Sequence, residues 1–312
     1  MKGLELSRLY YEKYGRQMIS DKFKEYENEI AIGLVGDGSE CLGYDDILSQ
    51  DHDFEQGFCL FVTKSGYENY GFALERAYEK LPREFMGYER QKLSPVGGAR
   101  RGVIVIDEFY EKHIGFKSAP KSLEQWLYIP SYALLSATNG EVFKDELGEF
   151  SKIRNELKKG YPEDIRKLKL AGHCLLMVQS GLYNYERCVK RREYGSAQIA
   201  IMNFVKSAIS VIYLINNRYE PFYKWVYRGI RELPKLSNLE SSLVALSQLG
   251  DSEEETRAKS EAMEEIAKVF VNELCVLGYC KEKNADLEFC AYEIQRDIKD
   301  AQIRNIHILA GV

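Results

Sequence analysis

Gly33-Leu-Val-Gly-Asp-Gly-Ser-Glu40, with Asp51-His-Asp53 after it, is the stretch on which the reading of this 312-residue chain turns. Residues 30–35 form an apolar run of strand length that stops at Gly36, which predicts a buried strand. Gly36 and Gly38 let the backbone take a positive φ or approach a ligand closely. Ser39 can cap a following helix and can donate to a phosphate oxygen. Asp51 and Asp53 are spaced i, i+2, so on a strand both carboxylates share one face and His52 takes the other, where a structural role suits it.

Two carboxylates on one face are costly unless a cation lies between them. Mg²⁺ (or Mn²⁺) suits such hard oxygen ligands and borrows the remainder from water and substrate phosphates. A phosphate-holding Gly-Ser turn beside an Asp-x-Asp metal pair is a constellation for phosphoryl or nucleotidyl transfer. No Gly-Lys-Ser/Thr follows the glycines, so the turn is neither a P-loop nor a dinucleotide fingerprint.

Working outward, residues 58–62 and 102–106 are two more short apolar runs, the second rich in β-branched residues. Helical periodicity fills 67–80 and 107–113. From about residue 121 the pattern is almost wholly helical. Pro162 marks one helix start, with Glu163 and Asp164 in its first turn. Pro221 opens another helix, 253–277 keeps helical spacing, and 286–303 reads as a last amphipathic helix. The expected architecture is α+β: a mixed sheet with helices over residues 1–120, then a helical bundle over 121–312.

Composition sets bounds. Apolar content of 45% with 29% charge excludes wholesale disorder. The apolar stretch 199–215 contains Asn203, Lys206 and two serines, and reads as a buried helix rather than a membrane span. The N-terminus lacks a signal-peptide core, and seven scattered cysteines without a CxxC suit free thiols in a reducing cytoplasm. A net charge of −5 disfavours a broad nucleic-acid face but leaves room for local basic pockets.

Two such clusters stand out. Arg100 and Arg101 precede the 102–106 run, and Arg187, Lys190, Arg191 and Arg192 form a basic island. With Lys224, these are the candidate cations for a leaving pyrophosphate. Asp107, at the end of the 103–106 run, is a candidate third carboxylate; an ordinary acid at a helix start is the alternative. The aromatic run from Tyr219 to Tyr227 could stack a base, but reads better as core. Cys41 and Cys59 flank the motif without a basic partner that would make either a nucleophile.

The sequence resembles the bacterial domain of unknown function 4037 family, within the polymerase-beta-like nucleotidyltransferase superfamily. The matching pieces are GDGSECLGYDD with SQDHDF (36–54), RRGV (100–103), NGEVFKDELGEF (139–150) and YPEDI (161–165). NYERCVKRREYGSA (184–197) and RYEPFYKWVYRGIREL (218–233) follow in order. The resemblance implies a nucleotidyltransferase-like N-terminal domain and a helical C-terminal domain, arranged as in aminoglycoside nucleotidyltransferases. It implies that Gly38 and Ser39, next to Gly36, hold the triphosphate, and that Asp51 and Asp53 bind the metal. It offers Glu186, in NYER, as a second candidate for the third carboxylate. Arg191 and Lys224 join the phosphate-binding set.

The resulting expectation is a Mg²⁺-dependent transfer of a nucleoside monophosphate from a triphosphate such as ATP to an acceptor hydroxyl. A small-molecule acceptor is favoured and a protein hydroxyl is open; neither a membrane nor nucleic acid is expected as a partner. The rival expectation is a catalytically idle nucleotide-sensing or scaffolding protein on the same fold.

Overall fold

The computed structural model describes residues 1–49, 55–90, 100–282 and 285–312. The chain is α+β and divides into two compact units. The first comprises residues 1–120 and 129–159, the second 121–128 and 160–312. The expected boundary at 120 is therefore corrected: after eight residues in the second unit, the chain returns to the first.

The reason for the return is a strand. The first unit holds β1 (Ala31–Leu34), β2 (Cys59–Val62), a short hairpin of β3 (Glu84–Phe85) and β4 (Tyr88–Glu89), β5 (Gly102–Val105) and β6 (Glu141–Lys144). Four of them form a mixed sheet in the order β5-β2-β1-β6. β1 runs antiparallel to both β2 and β6, and β2 runs parallel to β5. The register pairs Gly33 with Cys59, Leu34 with Glu141, and Cys59 with Gly102. The end of β1 therefore meets the starts of β2, β5 and β6 at one end of the sheet.

Strand alternation decides what each face buries. Phe58, Leu60 and Val62 join Ile30 and Ile32 in a core with Tyr10, Tyr11, Ile19, Leu74 and Tyr78. On the other face Phe61 stacks on Phe150 at 4.0 Å between ring centroids and meets Phe109 edge-on at 5.2 Å. Helices thus cover both faces, and β1 and β2 are buried at every residue.

The second unit is helical. Glu163–Met177 continues through a π-helical stretch, Val178–Tyr185, into Glu186–Lys190. It packs against Tyr194–Ile215 and Leu287–Arg296. Tyr194–Ile215 is long and apolar enough to cross a membrane, yet 67% of its most apolar window is buried, so the structure has it as a core helix. The expected helix 286–303 is broken in two, Leu287–Arg296 and Ala301–Arg304. The break is held by carboxylates: Asp300 caps the second piece, and Asp164 accepts from the backbone N–H groups of Lys299 and Asp300.

Lys169 is the costly residue here. It is only 7% exposed, donates to the Gly311 carbonyl at 2.7 Å, and burial pulls its pKa down to about 8. Its charged form is disfavoured in the folded state, so its contribution to stability improves as pH rises from about 8 towards the unfolded value. Buried thiols such as Cys174 titrate with the opposite sign, so the comparison must be with a Lys169→Met variant. Between pH 8 and 9.5, wild type should gain about 1.5 kcal/mol relative to that variant. Urea unfolding followed by tryptophan fluorescence reads this unit, which holds both Trp126 and Trp225. Parallel pH profiles would refute the assignment.

Candidate functional site

The chain leaves β1 through Val35 into the turn 36–39, where Gly36 and Gly38 have φ of 119° and 128°. Both glycines thus hold backbone conformations that side chains rarely allow. One 3₁₀ turn follows, Glu40–Leu42, closed by Gly43 in the left-handed region. Ser39 is the residue before that turn, but its hydroxyl makes no capping bond, so the expected capping role falls away.

The turn is fixed from β6. The Asn139 side-chain amide accepts from the Gly36 N–H at 2.9 Å and donates to the Gly36 carbonyl at 2.7 Å. The Gly140 N–H donates to the Cys41 carbonyl at 2.8 Å. Arg154 donates to the carbonyls of Asn139 and Gly140 at 3.0 and 3.1 Å. A Cβ on Gly140 would stand 1.9 Å from the Leu34 carbonyl oxygen, at a φ of 61°. This clamp escaped the sequence reading, although Asn-Gly before a short apolar pair is a turn signal.

Below the turn lies a buried ion pair. Glu40 and Arg101 are 5% and 7% exposed. Arg101 Nη2 is 3.1 Å from Glu40 Oε1, and Nη1 is 3.3 Å from Glu55 Oε1. Burial pushes the Glu40 carboxyl up, against the pull of Arg101. Gly38 must lack a Cβ, which would meet the Glu40 carboxylate at 2.5 Å. Arg101 is thus engaged inside the fold, and the expectation that it awaits pyrophosphate is corrected.

The same turn lines a cleft of about 410 Å³ with Arg100, Val103, Phe109, Lys112 and His113. Asp37 Oδ2 is 3.6 Å from Lys112 Nζ, and its Oδ1 is 4.0 Å from His113 Nδ1. Burial lowers the His113 pKa, and Asp37 opposes it. Cys41 and Cys59 are buried, and burial pushes the Cys59 thiol up to about 11, the opposite of a nucleophile's environment.

Asp51, His52 and Asp53 lie outside the described residues. Among the described residues there is no group of three His, Cys, Asp or Glu side chains that could hold a metal ion. Asp107 is not on a strand: β5 ends at Val105, and Asp107 sits in the first turn of the helix Ile106–Ile114. Glu186 begins the helix Glu186–Lys190 in the second unit, half exposed and 2.9 Å from Lys190 Nζ. It lines a groove of about 740 Å³ with Lys190, Thr256 and Arg257. Arg191 is exposed at the end of that helix. Lys224 is exposed too, 5.6 Å over the Trp225 ring. Phe222 and Tyr223 are exposed and only Tyr219 is core, which corrects the reading of that aromatic run as buried.

Residues 126–226 match the family profile described as "Domain of unknown function (DUF4037)". The match covers the Asn139 clamp, Glu186 and Lys224, and does not reach the turn 36–39. A solved structure of a nucleotidyltransferase-like protein from Exiguobacterium sibiricum 255-15 aligns over 93% of this chain and 81% of its own, with 11% identity and a TM-score of 0.40. No curated protein matches the sequence.

Two substitutions test the clamp. Asn139→Ala leaves the Gly36 N–H and carbonyl without their partner and should cost about 1–3 kcal/mol. Gly140→Ala drives a methyl into backbone and should cost more than about 3 kcal/mol, or prevent folding. Urea titrations read by circular dichroism would measure both. A loss below about 0.5 kcal/mol for Asn139→Ala would show that the turn holds without it.

Removing one member of the buried pair should be as damaging. Arg101→Met leaves the buried Glu40 carboxylate without its guanidinium partner, at an expected cost of about 3–5 kcal/mol. The double variant Arg101→Met/Glu40→Leu should recover much of it. A single variant as stable as wild type would contradict the pairing.

Proposed function

We propose that this chain is a Mg²⁺-dependent nucleotidyltransferase. The observation that supports the reading best is the turn after β1: two glycines at positive φ, a serine whose hydroxyl caps nothing, and a side-chain clamp that holds the backbone from behind. That arrangement is preorganised, so a phosphate could be met without reorganising the chain. The sequence resemblance to nucleotidyltransferases supplies the reaction class.

On this reading, Gly38 and Ser39 hold the triphosphate through backbone and hydroxyl donors. Asp51 and Asp53 offer the hard oxygen donors that suit Mg²⁺, which when bound supplies positive charge against the phosphates. A carboxylate, Glu186 or Asp107, takes the proton of the acceptor hydroxyl. The acceptor oxygen forms a bond to the α-phosphorus, the bond to the β-phosphate oxygen breaks, and pyrophosphate departs against cations, with Arg191 and Lys224 as candidates. A small-molecule acceptor is favoured because the net charge of −5 offers no broad attraction to nucleic acid.

Calorimetric titration with each nucleoside triphosphate, with and without Mg²⁺, tests the reading. Wild type should bind one of them in a metal-dependent way, and the Asp51→Asn/Asp53→Asn variant should lose at least about tenfold in affinity. An α-phosphate label then finds the acceptor. Binding without any transfer, insensitive to Glu186→Gln and Asp107→Asn, would favour an idle nucleotide sensor. A folded wild type that binds no triphosphate would end the reading.

A further inference from the structure

A triphosphate tail carries several negative charges, and its site must supply cations. Residues 31–49 contain no lysine or arginine and four acids: Asp37, Glu40, Asp45 and Asp46. Arg101 is engaged by Glu40 and Glu55. The positive charge for this turn therefore has to come from another element.

The helix Ile106–Ile114 brings it. Lys112 and His113 stand 3.6 and 4.0 Å from the Asp37 carboxylate, and Arg100 lines the same cleft. The imidazole lies against the glycine turn: a Cβ on Gly36 would have His113 Nε2 at 3.6 Å and Phe109 Cε2 at 3.5 Å. His113 is buried and held edge-on by the Phe109 ring at 4.7 Å. The Asp37 and Lys112 side chains are each about half exposed, at 46% and 58%. An ion pair of that kind is weak and exchanges readily. Glu75 and Glu108 also line the cleft, and Glu75 is engaged by the Tyr67 hydroxyl at 2.9 Å. A volume of about 410 Å³ lies within the range of small-molecule sites.

We propose that this cleft seats the polyphosphate tail of the ligand, with Lys112 and Arg100 as its cations and the His113 imidazole as a hydrogen-bond donor, and that Asp37 is the resident carboxylate which the phosphate oxygens displace. The proposal rests on the nucleotidyltransferase reading and assigns its phosphate-binding cations to the first unit. Asp37 is a counter-ion latch: it holds the cations in place when no ligand is bound and competes with the ligand for them.

The latch predicts opposite signs for neighbouring substitutions. Calorimetry in Mg²⁺-free buffer at low salt, with inorganic tripolyphosphate and inorganic phosphate as probes, reads them without the metal pair. Tripolyphosphate should bind wild type more tightly than phosphate does. Lys112→Ala and Arg100→Ala should each weaken it about tenfold. Asp37→Asn should tighten it about threefold, because a competing charge is gone. A role for Asp37 in structure alone would not improve binding. If Asp37→Asn weakens tripolyphosphate binding, or if all three variants bind it as wild type does, the latch is overturned. Metal-dependent nucleotide binding that Asp51→Asn/Asp53→Asn abolishes and the cleft variants leave intact would overturn this inference alone. Failure of wild type to bind either tripolyphosphate or any nucleotide would overturn both readings.

Discussion

The N–H and the carbonyl of Gly36 are both held by one amide, that of Asn139, across 103 residues of sequence. Much of the first unit follows from that contact. β1 is buried at every residue, so the chain must leave it without stranding polar backbone groups in an apolar interior. Beyond the last paired residue the sheet offers Gly36 no partner, and a side chain from the neck of β6 takes over. The same neck brings Gly140 against the Leu34 carbonyl, so close that no side chain fits between them. Arg154 then satisfies the carbonyls that the neck itself leaves open. The turn is thus held by Asn139 and Gly140, and these are held in their turn by Arg154.

What could be read from the sequence tracks how completely each element is buried. β1, β2 and β5 are short apolar runs ending at glycine or next to a helix, and each falls within a residue or two of its expected position. β6 was lost in the helical half because it is an edge strand. Each residue of Glu141-Val-Phe-Lys144 is only half-buried, so the pattern carries two apolar residues and no clear period. Missing β6 also misplaced the domain boundary, since this strand draws 129–159 back into the first unit. The aromatic run misled for the reverse reason. Phe222 and Tyr223 look like core by type, but they lie at a 3₁₀ turn that leaves them exposed.

The candidate site divides along similar lines. Positive φ at Gly36 and Gly38 was legible, because only glycine takes such conformations freely. The fate of each charge was not, since sequence does not say which cation a fold spends on itself. Arg100 and Arg101 are adjacent and alike in type. One is buried between two carboxylates and the other lines an open cleft. In the sequence His113 has no partner pattern and reads as structural, yet the helix that follows β5 carries it and Lys112 to the turn.

Two acids within four residues show how the fold separates structural charge from exchangeable charge. Glu40 turns inward onto Arg101, and Asp37 turns outward onto Lys112 and His113. A buried carboxylate with a buried guanidinium cannot trade partners, because either ion alone in that environment costs several kcal/mol. A half-exposed carboxylate facing a lysine can trade, because water and salt already compete for both. Gly38 makes the inward pair possible by lacking a Cβ, whereas at Gly36 it is the φ of 119° that calls for glycine, since a Cβ there would meet the His113 and Phe109 rings only at ordinary contact distance. The two glycines therefore do different work, one leaving room for a locked ion pair and the other supplying the backbone conformation of the turn. On the proposed reading, an anion arriving at this turn meets Lys112 and Arg100 on the cleft wall, with half-exposed Asp37 as the carboxylate paired to Lys112 and with Glu75 and Glu108 also lining the cleft.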